Sequence, residues 1–157
     1  IVGLSTSFYV LQLFFFNEPP LTQIYTTSLH DALPISNRNR NSFRALILTP
    51  TRELAAQIED SIQTYGNNEQ LRYGVVFGGV NINPQKKTLN RGLDILVATP
   101  GRLLDLYQQK CIDFRDVEVL ILDEADRMLD MGFIRDLRKI TALFPQNRQD
   151  LVFSATF

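Results

Sequence analysis

Two adjacent carboxylates, Asp123 and Glu124, come directly after a run of buried-strand residues, Val119-Leu120-Ile121-Leu122. A strand of this kind delivers the next residues to the carboxyl edge of a parallel sheet, where open α/β folds bind ligands. Two acids on that lip can hold Mg²⁺ and steer a water at a phosphate. Asp123 suits the metal shell, reached through water, and Glu124 suits activation of the attacking water. The plainer reading is a helix start with acids in its first turn. That reading accounts for one acid. It does not account for a hydrophobic strand that runs into Asp123-Glu124-Ala125-Asp126 and then Arg127-Met128-Leu129-Asp130-Met131-Gly132-Phe133.

Four other groups fall in the same kind of place. Pro50-Thr51-Arg52 comes after the apolar run Ala45-Leu46-Ile47-Leu48, Gly78-Gly79 after Tyr73 to Phe77, and Thr99-Pro100-Gly101-Arg102 after Asp94 to Ala98. Ser154-Ala155-Thr156 comes after a strand over Asp150 to Phe153, about 30 residues beyond Asp123. A helix start offers free N–H groups and a positive dipole end to phosphate, Arg adds a two-pronged grip, and paired glycines let backbone approach a ligand. Together Pro50, Thr51, Arg52, Gly78, Gly79, Thr99, Pro100, Gly101 and Arg102 read as a groove that holds nucleic-acid backbone without reading bases. Each group alone is ordinary turn chemistry. The basic clusters Lys86-Lys87 and Arg135, Arg138, Lys139 read either as auxiliary nucleic-acid contacts or, as well or better, as the charged faces of surface helices.

Alternating strand and helix signals must place these groups. Leu54, Ile58, Ile62 and Tyr65 recur at helical spacing, with Gly66 as a stop. Pro84 to Asn90 predicts a short helix, and Leu103, Leu104 and Leu106 another. Val117 to Leu122 is the strand before the acids. Phe133 to Phe144 predicts a helix with Phe133, Ile134, Leu137, Ile140 and Leu143 turned to the core. Alternation of strand and helix predicts an α/β fold, a parallel sheet flanked by helices.

The 157 residues are enough for about one domain, and 16 Lys+Arg against 17 Asp+Glu give no strong field toward a polyanion. The distribution is uneven. Residues 1–36 hold no Lys or Arg, two acids and six of the 16 aromatics. The lone Cys111 excludes an internal disulfide and a cysteine-rich metal site, and fits a reducing compartment such as the cytoplasm. Ile1 to Phe16 is apolar but short of the roughly 20 residues of a membrane span. Ser28-Leu29-His30-Asp31-Ala32-Leu33-Pro34-Ile35 matches, residue for residue, the translation of a widely used sequencing-library adapter. Residues 1–36 are therefore expected to be a non-native leader joined to residues 37–157. The only histidine, His30, lies inside that octapeptide.

From about Phe43 onward the chain resembles the DEAD-box RNA helicases. Asp123-Glu124-Ala125-Asp126 spells the tetrad that names them. Pro50-Thr51-Arg52-Glu53-Leu54, Gly78-Gly79, Thr99-Pro100-Gly101-Arg102 and Ser154-Ala155-Thr156 match further motifs of the family. The stretch from Phe77 to Leu106 is similar to the bacterial RhlE-like branch. The resemblance implies a partial RecA-like (P-loop NTPase) domain, ATP and Mg²⁺ as cofactors, and RNA as partner. It implies that Asp123, Asp126, Ser154 and Thr156 serve the nucleotide site, with Glu124 and Asp123 catalytic. No G-x-x-x-x-G-K-S/T string occurs in the chain, so the first strand and phosphate loop of such a domain are expected to be missing. A second RecA-like domain, with an arginine finger that contributes roughly 10³ to 10⁵ in rate in related hydrolases, would be missing too. The expectation is a fragment of an ATP-dependent RNA helicase, inactive by itself. The alternative is a degenerate RecA-like module that binds RNA without ATPase activity.

Overall fold

The computed structural model describes residues 41–65 and 71–154. Residues 1–36, where a leader is expected, and Gly66, Ala155 and Thr156 lie outside the described residues.

Five strands alternate with helices: β1 Ala45–Leu48, α1 Arg52–Tyr65, β2 Tyr73–Val76, α2 Ile82–Leu89, β3 Ile95–Ala98, α3 Pro100–Gln108, β4 Val119–Leu122, α4 Ala125–Asp130, α5 Ile134–Thr141 and β5 Gln149–Val152. They form one sheet in the order β2-β3-β1-β4-β5, with every neighbouring pair parallel. Central strands of a parallel sheet are covered on both faces and read as unbroken apolar runs. That is the pattern of Ala45–Leu48, Ile95–Ala98 and most of β4, whose residues are buried.

Alternation of side chains along each strand splits the core in two. Leu46, Leu48, Leu96, Ala98 and Leu120 face one layer with Leu89 of α2, Leu103 and Leu106 of α3, and Leu137 and Ile140 of α5. Ala45, Ile47, Ile95, Val97, Val119 and Ile121 face the other, against Ala55, Ile58 and Ile62 of α1. Phe114 is a hub in the first layer, set edge-on to Phe43 and Phe144 and stacked on Tyr107. Of the two edge strands, β2 and β5, β5 is the less covered, with Val152 54% exposed.

Two expectations about elements change. The Phe133 to Phe144 helix is shorter, and Ile134 (41%) and Leu143 (36%) are exposed while Phe144 is buried. At 3.6 residues per turn, Phe133, Leu137, Ile140 and Phe144 share one face, and Ile134 and Leu143 fall about 90° to either side. A separate one-and-a-half-turn helix, α4, also stands where the sequence suggests only a helix start. Cys111 is half-buried and unbridged.

Gly74 in β2 shows how closely the layers approach. A Cβ built there would lie 2.8 Å from Leu93 Cδ1 and 2.9 Å from Thr88 Cγ2. Gly74→Ala is expected to cost about 1–3 kcal/mol, the usual penalty of overpacking a close contact. Denaturant unfolding at neutral pH measures it, and a stability equal to the parent chain would show that the α2 side of the sheet has slack.

Candidate nucleotide and nucleic-acid site

All five strands end level. Leu48 pairs with both Ala98 and Leu122, Ala98 with Val76, and Leu122 with Val152. The next residues continue the ladder: Thr49 N–H donates to Ala98 O at 3.0 Å, Thr99 N–H to Val76 O at 3.1 Å, Asp123 N–H to Leu48 O at 2.9 Å and Phe153 N–H to Leu122 O at 2.8 Å. The side-chain groups singled out in the sequence therefore leave the sheet at one edge. The strand order divides them. The acids and Ser154 lie beyond β4 and β5, while the Thr, Gly and Arg groups lie beyond β2, β3 and β1.

At the acidic end, Asp123 is 1% exposed, and its Oδ1 accepts the Glu124 N–H at 3.0 Å. Glu124 sits in the left-handed region, φ 50° and ψ 51°. A single non-glycine residue there stores about 1–2 kcal/mol, and such strain gathers at functional positions. The twist starts α4, whose first amide, Ala125 N–H, donates to Phe153 O at 3.0 Å. This bond ties the residue before Ser154 to the residue after Glu124. Arg127 Nη1 donates to Glu124 Oε2 at 3.1 Å. Asp126 lies in the first turn of α4, and Ser154 is half-buried.

The donor set fits a hard cation. Carboxylate oxygens from one or two acids, with the rest of the shell from water and phosphate, are what Mg²⁺ takes. Among the described residues no group of three or more His, Cys, Asp and Glu gathers to hold a metal alone, so a cation here needs those outside oxygens.

At the other end a groove of about 490 Å³ is lined by Pro50, Thr51, Arg52, Gly78, Thr99, Gly101 and Arg102, with Glu53, Asp105, Met131 and Phe133 as further walls. Gly79 adjoins it, since a Cβ there would lie 4.0 Å from Arg52 Nη1. Pro100 is buried at the first turn of α3. A Cβ on Gly78 or Gly101 would meet no protein atom within 4 Å. Their missing side chains leave room for something other than protein.

Two look-alike turns differ in chemistry. Thr51 Oγ1 accepts the Leu54 N–H at 3.2 Å and so caps α1. Thr99 makes no such cap bond at the start of α3. The arginines differ as well. Arg52 is exposed and paired with Glu53, Nε to Oε1 at 2.7 Å. That guanidinium holds the Glu53 carboxyl below its ordinary range, and the carboxylate raises Arg52 in return. The Arg102 side chain is only 10% exposed, with Asp105 3.8 Å from its Nε.

Sequence reasoning missed Glu53, Asp105, Met131 and Phe133 as walls. The two acids carried a weak signal, because each lies within three residues of a groove arginine. Met131 and Phe133 carried none, because they reach the groove only through the packing of α4.

The family model described as "DEAD/DEAH box helicase" matches residues 22–157. "DEAD-box ATP-dependent RNA helicase 40" of Arabidopsis thaliana is 50% identical over 121 residues, which are 77% of this chain and 11% of that protein. "DEAD-box ATP-dependent RNA helicase CshA" of Streptococcus pneumoniae serotype 4 is 47% identical over 115 residues, 73% of this chain and 22% of that protein. "ATP-dependent RNA helicase RhlB" of Xanthomonas axonopodis is 45% identical over 125 residues, 78% and 22% respectively. The crystal structure of a DEAD box protein from Methanococcus jannaschii superposes with a TM-score of 0.70 at 43% identity, covering 76% of this chain and 33% of that one. The chain thus spans between about a tenth and a fifth of these curated relatives, and the family model covers most of its length: the chain belongs to the DEAD/DEAH box helicase family.

Proposed function

We propose that this chain is part of the first RecA-like domain of an ATP-dependent RNA helicase, in which hydrolysis at the acidic lip is coupled to opening of RNA duplexes. The carrying observation is the shared sheet edge. A buried carboxylate and a strained neighbouring acid stand at one end of it, and a groove of helix starts, open glycines and arginines at the other. α4 supports the coupling, because it begins at Glu124 and leads directly to the groove walls Met131 and Phe133.

Mg²⁺ and ATP, when bound, supply the transferable phosphoryl group and the charge that neutralises it. Asp123, oriented by the Glu124 N–H that its Oδ1 accepts, would hold the cation. Glu124 would take the proton of a water attacking the terminal phosphoryl group. Asp126, Ser154 and Thr156 support that end of the site by hydrogen bonding. Along the groove, Pro50, Thr51, Arg52, Gly78, Gly79, Thr99, Pro100, Gly101 and Arg102 hold the sugar-phosphate backbone, so sequence preference is weak. A second RecA-like domain completes the parent enzyme, which works in the cytoplasm and belongs to the RhlE-like branch on the string from Phe77 to Leu106. No helix among the described residues is long and apolar enough to cross a membrane.

In the full-length parent helicase, Glu124→Gln is expected to lower RNA-stimulated ATP hydrolysis by about 10² to 10⁴, the usual worth of a positioned general base, with RNA affinity retained. A rate within a few-fold of the parent enzyme would remove Glu124 from the chemistry. For the groove, Arg52→Gln is expected to weaken binding of all single-stranded RNAs alike. It should reduce the slope of log affinity against log salt by about 0.7, one neutralised phosphate on a single strand. An unchanged slope would take Arg52 off the phosphate track. We also propose that residues 37–157 are the helicase portion and that residues 1–36 come from an adapter-derived junction. Sequencing the genomic DNA upstream of the Asn37 codon is expected to reveal a strand and a phosphate loop ending in Gly-Lys-Thr, and a continuous frame encoding residues 1–36 would refute it.

A further inference from the structure

Gln85 is a polar side chain in α2 that is 8% exposed and is absent from the groove surface. A buried amide costs free energy unless its donor and acceptor are both satisfied. Both are. Its Nε2 donates to the Phe77 carbonyl at 3.1 Å, and its Oε1 accepts from Arg102 Nη1 at 2.9 Å. Arg102 donates in turn through Nη2 to the Val80 carbonyl at 2.9 Å. Phe77 and Val80 flank Gly78-Gly79. One continuous run of side-chain bonds, anchored in α2 and closed through α3, therefore grips the glycine pair at both ends.

The pair needs such a grip. Successive glycines have more backbone freedom than any other dipeptide, and Gly79 is held at φ +81°. Arg102 is committed to the bracket, since its guanidinium is largely buried and forked between two acceptors. Arg52, by contrast, stands with its side chain 62% exposed.

We infer that Gln85 is a positioning residue of the groove: it orients the Arg102 guanidinium and, with it, fixes the Gly78-Gly79 turn against which a phosphate backbone would lie. This inference rests on the reading of the groove as a backbone track, and it divides the labour within that track. Arg52 supplies charge. Gln85 and Arg102 supply shape.

The test uses the 157-residue chain and its Gln85→Met variant, which keeps the length of the side chain and neither bond. ¹⁵N relaxation reads the Gly78 and Gly79 amides, and a short fluorescein-labelled oligo(U) reads RNA affinity across a range of salt. The order parameters of both glycines are expected to fall from about 0.85 to below about 0.6. Affinity should fall about tenfold, the scale of a lost buried hydrogen-bond partner, with the salt slope unchanged because the same phosphates are neutralised. Arg102→Lys keeps the charge but lacks the fork, so it should reproduce both effects, and the double variant should be no worse than either single one. It also carries the measurement should Gln85→Met fail to fold. Order parameters that stay at the parent value, a salt slope that drops as in Arg52→Gln, or strictly additive effects would overturn the inference. If the parent chain shows no salt-dependent RNA binding, the backbone-track reading falls by itself, and the order parameters still decide the bracket.

Discussion

Parallel pairing that ends on a common line is the constraint on which the rest of this structure depends. Because Val76, Ala98, Leu48, Leu122 and Val152 stand in register, the residues after them emerge along one edge. Shift one strand by a single residue and its apolar set would change faces. The β1 run of four buried residues leaves no tolerance for that, since Leu46 and Leu48 belong to one core and Ala45 and Ile47 to the other. Burial on two faces thus fixes the site indirectly. The core sets the register, the register sets where each strand stops, and the stops set where the chemistry begins.

The edge carries two kinds of electrostatic environment within one domain. At β4, a carboxylate is drawn almost wholly out of water and oriented by a neighbouring amide. At β1 to β3 stand backbone donors at helix starts and two guanidinium groups, Arg52 open to solvent and Arg102 largely buried. The groove is not uniformly basic. Glu53 and Asp105 partner its two arginines, which holds the guanidinium groups in place and moderates the local field. A polyanion bound there would compete with these internal acids.

Between the two environments runs α4, six residues long. Its first turn is set by the left-handed Glu124 and by the bond from Ala125 to Phe153. Its far end delivers Met131 and Phe133 to the groove. A change at the acidic lip that altered the Glu124 backbone would move a rigid element whose other end forms part of the groove wall. This is spatial continuity between two sites, and coupling in the thermodynamic sense requires that both bias one equilibrium.

Much of this was legible in the chain itself. The apolar runs announced the strands, because burial on both faces imposes an unbroken hydrophobic pattern that needs no partner to be seen. The punctuation after each run announced the functional groups, because turn and cap chemistry is local. The Asp123 to Asp126 tetrad and the Thr-Pro-Arg strings were visible for the same reason. What the sequence alone could not decide was which strand ends are neighbours, and therefore that Pro50 to Arg52, Gly78 and Thr99 to Arg102 share a groove whose walls do not include Asp123. Strand order is a matter of contacts between residues far apart in the chain. The same holds for Gln85 and Arg102, separated by 17 residues, for the left-handed turn of Glu124, and for Met131 and Phe133 as groove walls. Each depends on where a side chain or backbone lies relative to elements it meets only after the sheet has formed.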